Sequence, residues 1–151
     1  MIPVEDVRKV FAGDRFATDN GAEIMEADIN YAKCRMEVTP AARNARGAVM
    51  GGAIYTLADF AFAVASNVGR TAAVTLDSQI TFIRSTDGNW LFAEARCEKD
   101  GRRVCCYDIR VTDDQGHLIA VVRSTGMRVG KEPIHPSLME RAEELEEKSE
   151  I

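Results

Sequence analysis

Between Gly51 and Asn67 the chain carries almost no polar face. Ile54, Leu57, Ala58, Ala61, Phe62 and Ala65 recur at helical spacing, and Ala53, Phe60, Ala63 and Val64 fill the remaining positions. A helix that is hydrophobic nearly all round has to be buried on most sides. A membrane is excluded as the burying medium, because Tyr55, Thr56, Asp59, Ser66 and Asn67 interrupt a stretch already shorter than the roughly 20 clean apolar residues a span needs. The rest of the chain must therefore wrap this helix.

The remaining sequence supplies the wrapping in strands. Tyr31 to Val38 alternates, with Ala32, Cys34, Met36 and Val38 against Lys33, Arg35 and Glu37, and Pro40 ends it. After the helix come Ala72 to Ile83, Trp90 to Glu98, Val104 to Thr112 and Leu118 to Val129, separated by Asp87-Gly88-Asn89, Lys99-Asp100-Gly101 and Asp113-Asp114-Gln115-Gly116. Short turns between consecutive strands imply antiparallel pairing. The expected architecture is α+β, an antiparallel sheet of five or six strands curled around one long apolar helix that is inserted after the first hairpin or strand. Pro3 to Ala12 adds a short amphipathic helix with Pro3 at its first position and Val4, Val7, Val10 and Phe11 on one face, followed by a polar stretch ending at Asn20 and Gly21.

Residues 1–130 are expected to form the single domain and residues 131–151 an acidic helical tail, SLMERAEELEEKSE at its centre, that docks weakly or frays through the thin stripe Leu138, Ala142 and Leu145. The tail also takes most of the charge. It holds 3 basic and 7 acidic groups, so that residues 1–130 carry only −1 of the chain's −5. A nearly neutral body argues against nucleic acid as a partner. Cys34, Cys97, Cys105 and Cys106 form no C-x-x-C pair and read as reduced thiols, and two histidines, His117 and His135, give a metal site little to work with. No metal and no redox cofactor are expected. Met1 to Val10 carries Glu5, Asp6, Arg8 and Lys9 where a secretory signal needs an apolar run, so a cytoplasmic protein is expected.

Two features of the core helix bear on chemistry. Gly51 and Gly52 open it, leaving backbone N–H groups free at its positive end, where no side chain blocks the approach of a carbonyl. Asp59 is the one carboxylate in an otherwise apolar helix, off the main apolar stripe. Burial of an unpaired carboxylate is costly, so Asp59 is either at an exposed edge or in use.

The segment Asn44-Ala45-Arg46-Gly47-Ala48-Val49-Met50-Gly51-Gly52, followed by a helix containing Leu57-Ala58-Asp59, resembles the signature of the hotdog-fold acyl-CoA thioesterases, in particular their PaaI-like branch. The resemblance extends from about Asp14 to Arg128 and includes Val74-Thr75-Leu76-Asp77 and Gly101-Arg102-Arg103-Val104. Met50 departs from it, standing where the family usually has His.

The resemblance implies hydrolysis of an acyl- or aryl-CoA thioester to a free acid and CoA. The Gly51 N–H would polarise the thioester carbonyl and Asp59 would act as nucleophile or as general base toward water. Asn44 would orient the thioester or the carboxylate, and Thr75, or less readily Asp77 on the same strand face, would help hold water. Met50, Gly52 and Tyr55 would contact the acyl group, with Val49, Phe60 and Phe62 as further pocket lining. Arg84, Arg102 and Arg103 are candidates for the CoA phosphates. Eight residues of helix separate Gly51 from Asp59 by about 12 Å, so the two can meet only across a homodimer whose core helices run antiparallel, and dimers of this branch often pair into tetramers. The alternative is a non-catalytic hotdog domain that binds acyl-CoA or an acyl carrier, to which the loss of His at Met50 points.

Overall fold

The computed structural model describes residues 1–149. In chain order the elements are α1 (Val4–Phe11), α2 (Arg15–Asp19), β1 (Glu23–Asp28), β2 (Tyr31–Glu37), a 3-10 turn (Pro40–Ala42), α3 (Gly51–Asn67), β3 (Thr71–Phe82), β4 (Trp90–Asp100), β5 (Val104–Asp113), β6 (Leu118–Pro133) and α4 (Pro136–Ser149). The six strands make one sheet in the order β1-β2-β4-β5-β6-β3, antiparallel throughout. The expected sheet around a central helix is what forms. Among the described residues no helix is long and apolar enough to cross a membrane.

The all-round hydrophobicity of α3 explains the rest. Ile54, Leu57, Ala58, Phe60, Ala61, Phe62, Val64 and Ala65 are all buried, and of the whole helix only Gly52 and Asp59 are exposed. The sheet comes closest to the helix where β6 carries no side chain. A side chain at Gly126 on β6 would sit 2.9 Å from both the Phe62 ring and the Cys105 sulfur. Phe62 also packs edge-on against Tyr107 of β5 at 5.4 Å, and the Tyr107 hydroxyl donates to Asn30 Oδ1 at 2.8 Å. Asn30 has φ +64° in the two-residue β1–β2 hairpin, a left-handed conformation that Asn tolerates.

The C-terminal end of α3 is closed by side chains from the helix and the sheet. Asn67 donates to Ala63 O at 2.8 Å and accepts from the Ala73 N–H at 2.8 Å, stitching the helix to the start of β3. Arg128, its side chain only 6% exposed, donates to the carbonyls of Ser66 and Thr71 and pairs with Asp100. A cation on the last carbonyls of a helix is where the dipole favours it. Gly69 follows at φ +65°, and a Cβ there would lie 2.9 Å from Ile29 and from Ala142 of α4.

Several elements differ from the sequence expectation. β1 was hidden in EIMEAD because a register shift between Ile24 and Glu26 breaks its alternation. α2 forms within the polar stretch that ends at Asn20 and Gly21, and Pro3 sits at the N-cap of α1 rather than inside it. β6 runs four residues past Val129, to Pro133. α4 seats Leu138 and Ala142 in the core, while Leu145 stays exposed.

Arg128 gives the first prediction. Arg128→Leu leaves the carbonyls at the end of α3 and the half of Asp100 that faces them unpaired, and should cost about 3–5 kcal/mol in urea unfolding. A loss within experimental error would show that the closed helix end contributes nothing to stability.

Candidate active site

The opposite end of α3 is left open. Met50 occupies the N-cap with an extended backbone (φ −63°, ψ 133°) and no capping side chain. Its own N–H donates to Ala42 O at 2.8 Å, and its carbonyl accepts from the amides of Ala53 and Ile54. That leaves the Gly51 and Gly52 amides without an acceptor among the described residues, at the positive end of a 17-residue helix. Phe82, at the end of β3, lies over the glycine, so that a Cβ on Gly51 would come within 3.0 Å of the ring edge. Sequence reasoning did not find this neighbour, which comes from the far end of a strand.

Asn44 holds the loop that leads into α3. Its Oδ1 accepts from the amides of Arg46 at 3.0 Å and Ala48 at 3.2 Å, and its N–H donates to Ala48 O at 2.8 Å. The side-chain amide nitrogen makes no hydrogen bond among the described residues, so it remains free to donate.

Asp59 lies two turns along the same helix, on the rim of a cleft of about 370 Å³ between α2 and α3 that Tyr55, Phe60, Ala63 and Asp14 also line. Neither the Asp59 nor the Asp14 carboxyl has a hydrogen-bond or ion-pair partner among the described residues. Arg15, the cation nearest in sequence, is held by Asp19 at 2.8 Å. Partial burial pushes the Asp59 carboxyl above the usual carboxylate range, and the like charge of Asp14 pushes it further. Asp14 is itself raised by burial. An unpaired carboxyl with a raised pKa at the edge of a cleft is suited to nucleophilic or general-base work.

The other expected site residues divide. Met50 and Gly52 line a second cavity of about 610 Å³ beside the open helix end, whereas Tyr55 belongs to the Asp59 cleft. Phe62 and Val49 are buried in the core rather than pocket-lining, because the sheet covers the face of the helix on which Phe62 lies, and Phe60 is likewise buried, reaching only the Asp59 cleft. Met36, Phe16 and Trp90, which come from separate elements and gave no local signal, line the second cavity.

Thr75 and Asp77 do not share a face. A bulge at Leu76 puts Thr75 opposite Gly126, on the side of α3, and Asp77 opposite Thr125, whose hydroxyl is beside Cys106 on the outer side. The expectation of simple alternation is corrected by that extra residue. Thr75 is the one that faces the helix side, on a strand whose other edge pairs with nothing among the described residues.

The basic candidates separate as well. Arg84 follows β3 at the Phe82 end, while Arg102 and Arg103 line a third cavity of about 670 Å³ at the opposite end of β3 with Thr71, Arg128 and Lys131. Arg128 is committed to the helix end, which leaves Arg102, Arg103 and Lys131 without ion-pair partners among the described residues.

Residues 46–120 match the thioesterase superfamily. The acyl-coenzyme A thioesterase PaaI of Escherichia coli strain K12 is 31% identical over 127 residues, covering 83% of this chain and 91% of that protein. The solved structure of the E. coli PaaI protein from the phenylacetic acid degradation operon superposes with a TM-score of 0.80 at 29% identity, over 85% of this chain and 94% of that one. A mutant of the phenylacetic acid degradation protein PaaI of Thermus thermophilus gives 0.73 at 30% identity, over 77% and 100%. Streptococcus mutans smu.793, bound to acetyl-CoA, gives 0.70 at 27%, over 74% and 91%. The chain belongs to the thioesterase superfamily, and its six-stranded sheet packed on α3 is the hotdog fold of the PaaI structures.

Removing the like charge should make Asp59 easier to ionise. In Asp14→Asn the Asp59 carboxyl is expected to titrate at lower pH than in the wild type, followed by carbon NMR of the labelled carboxyl. A midpoint that stays put or rises would show that Asp14 does not act on Asp59.

Proposed function

We propose that this chain is an acyl-CoA thioesterase that works as a homodimer or a pair of dimers, with the Gly51 N–H of one subunit and Asp59 of the other completing each site. The observation that carries this reading is the open amino end of α3 on the same helix as an unpaired carboxyl, about 12 Å too far along it to reach the same carbonyl. A two-fold axis that sets two α3 helices antiparallel brings Gly51 and Asp59 of different subunits together twice.

The edge of the sheet supports such an axis. β3 is 12 residues long, lies at the end of the strand order, and exposes Val74, Leu76 and Phe82, with Ile83 just beyond it. An unpaired apolar edge of this kind recruits another strand. Antiparallel pairing of two β3 edges would continue the sheet, and would lay the Thr71 end of one subunit, with its Arg102, Arg103 and Lys131, beside the Phe82 end and Arg84 of the other. Four cations would then gather near the open helix end, suited to the phosphates of CoA.

In the reaction, the thioester carbonyl oxygen accepts from the Gly51 N–H, and its developing negative charge is stabilised by the helix end. Asp59 of the partner subunit either attacks the carbonyl carbon, giving an anhydride that water then opens, or takes a proton from the attacking water. In both courses the carbon–sulfur bond breaks, CoA leaves as the thiol and the acid is released, with water as the only co-substrate. Thr75 and the free amide of Asn44 would orient water and the carboxyl. Met50, in the position of the family's usual His, has no role in proton transfer.

Two substitutions test this. Asp59→Asn should lower kcat by about 10²–10⁴ with folding intact. Gly51→Pro removes the proposed donor where Met50 already has the extended backbone a following proline requires, with the exposed Phe82 ring swinging aside for the added carbons, and should lower kcat by about 10²–10³ with folding intact by thermal unfolding. Release of CoA thiol from a panel of aryl- and alkyl-CoA esters is the assay. Turnover by Asp59→Asn at the wild-type rate would contradict the mechanism, and no turnover by the wild type would favour a binding domain.

A further inference from the structure

We infer that Asp14 is a second catalytic carboxylate of the hydrolytic site: Asp59 attacks the thioester carbon, and Asp14 takes the proton from the water that opens the resulting anhydride. This rests on the thioesterase reading above and divides between two residues the work that reading leaves to Asp59 alone. Asp14 and Asp59 line the same cleft of about 370 Å³. Both belong to one subunit, so in the proposed dimer they reach the other subunit's Gly51 together.

The fold makes no use of the Asp14 side chain. Asp14 stands at the N-cap of α2, where an aspartate ordinarily accepts from a backbone amide of the first turn, yet its carboxylate makes no such bond. Only its backbone carbonyl takes part in the helix, accepting from the amide and the hydroxyl of Thr18. The carboxylate instead shares a cleft with a like charge, an arrangement unfavourable to both ionised groups.

The one cation in the cleft gives no relief. Arg15 lines it too, but its guanidinium is held by Asp19, Nε to Oδ1 at 3.1 Å and Nη2 to Oδ2 at 2.8 Å. Among the described residues, a proton or a water is all that is left to bridge Asp14 and Asp59. At about 30 Å³ per molecule the cleft has room for several waters, between apolar walls from Phe16, Phe60 and Ala63.

A one-step attack by water needs a single base, and a second carboxylate beside it adds only repulsion. Two carboxylates fit a two-step course. In the first step an Asp59 oxygen bonds to the acyl carbon, the carbon–sulfur bond breaks and the departing thiolate takes a proton from solvent. In the second, a water oxygen bonds to the acyl carbon while Asp14 accepts the water's proton. The bond from the acyl carbon to the Asp59 oxygen then breaks, Asp59 is again a carboxylate, and Asp14 returns its proton to solvent.

Asp14→Asn separates the steps. With the CoA ester that the wild type hydrolyses fastest, rapid mixing should show a burst of about one thiol per site, followed by steady turnover lowered by about 10²-fold. Protein quenched during the burst should carry the mass of the acyl group on Asp59, and hydroxylamine should remove it. Asp59→Asn should show neither burst nor acyl-protein, and Asp14→Glu should regain part of the steady rate. Thermal unfolding checks that each variant is folded, and a merely structural role for Asp14 would lower burst and steady rate together. Turnover by Asp14→Asn at the wild-type rate, or a lowered rate with no burst and no acyl-protein, would overturn the inference and leave the thioesterase reading standing. No thiol release by the wild type would remove both.

Discussion

The two ends of α3 are treated differently, and the rest of the structure depends on that difference. At the carboxyl end Asn67 and Arg128 occupy the exposed carbonyls and tie them to β3, β6 and Asp100. At the amino end two glycines start the helix with no capping side chain, and their amides face outward. A helix gains about 1 kcal/mol from a good N-cap, so an uncapped start on the most buried helix of the protein forgoes stability there while most of the remaining helix is packed. Such departures from local optimisation concentrate at functional sites.

The apolar character of α3 also determines where the partner must come. All six strands touch the helix, and β3 does so from one end of the strand order, so that its outer edge is left open. The bulge at Leu76 turns Thr75 to the helix side there and leaves Leu76 itself exposed. Fold and proposed function thus share one cause: the helix that needs wrapping on all sides also leaves an edge strand and an open terminus at the same boundary of the molecule.

Much of this was legible in the sequence. The all-round apolar run from Gly51 to Asn67 and the turn chemistry after each strand were sufficient for the α+β architecture, and Gly51 with Asp59 stood out as residues whose chemistry the fold alone does not require. What was not legible depended on contacts between distant segments. Phe82 over Gly51, Asp14 beside Asp59 and Trp90 across from Met50 each join residues far apart in the chain, and no periodicity encodes them. The pairing of Thr75 with Asp77 failed for a local reason, because one inserted residue reverses a strand's faces and nothing in Val74-Thr75-Leu76-Asp77 marks it. Phe62 is buried against the sheet where Gly126 lets it approach, whereas Phe60 packs on Phe11 of α1 and still reaches the Asp59 cleft.

The central claim is that each site takes Gly51 from one subunit and Asp59 from the other. It is tested most directly by mixing two inactive proteins, Asp59→Asn and Gly51→Pro, under conditions that exchange subunits, and measuring thiol release. Shared sites predict recovery to about a quarter of wild-type activity, since half the dimers are hybrids and each hybrid has one intact site. Activity that stays at the level of the separate variants, with hybrid dimers demonstrably formed, would contradict the account.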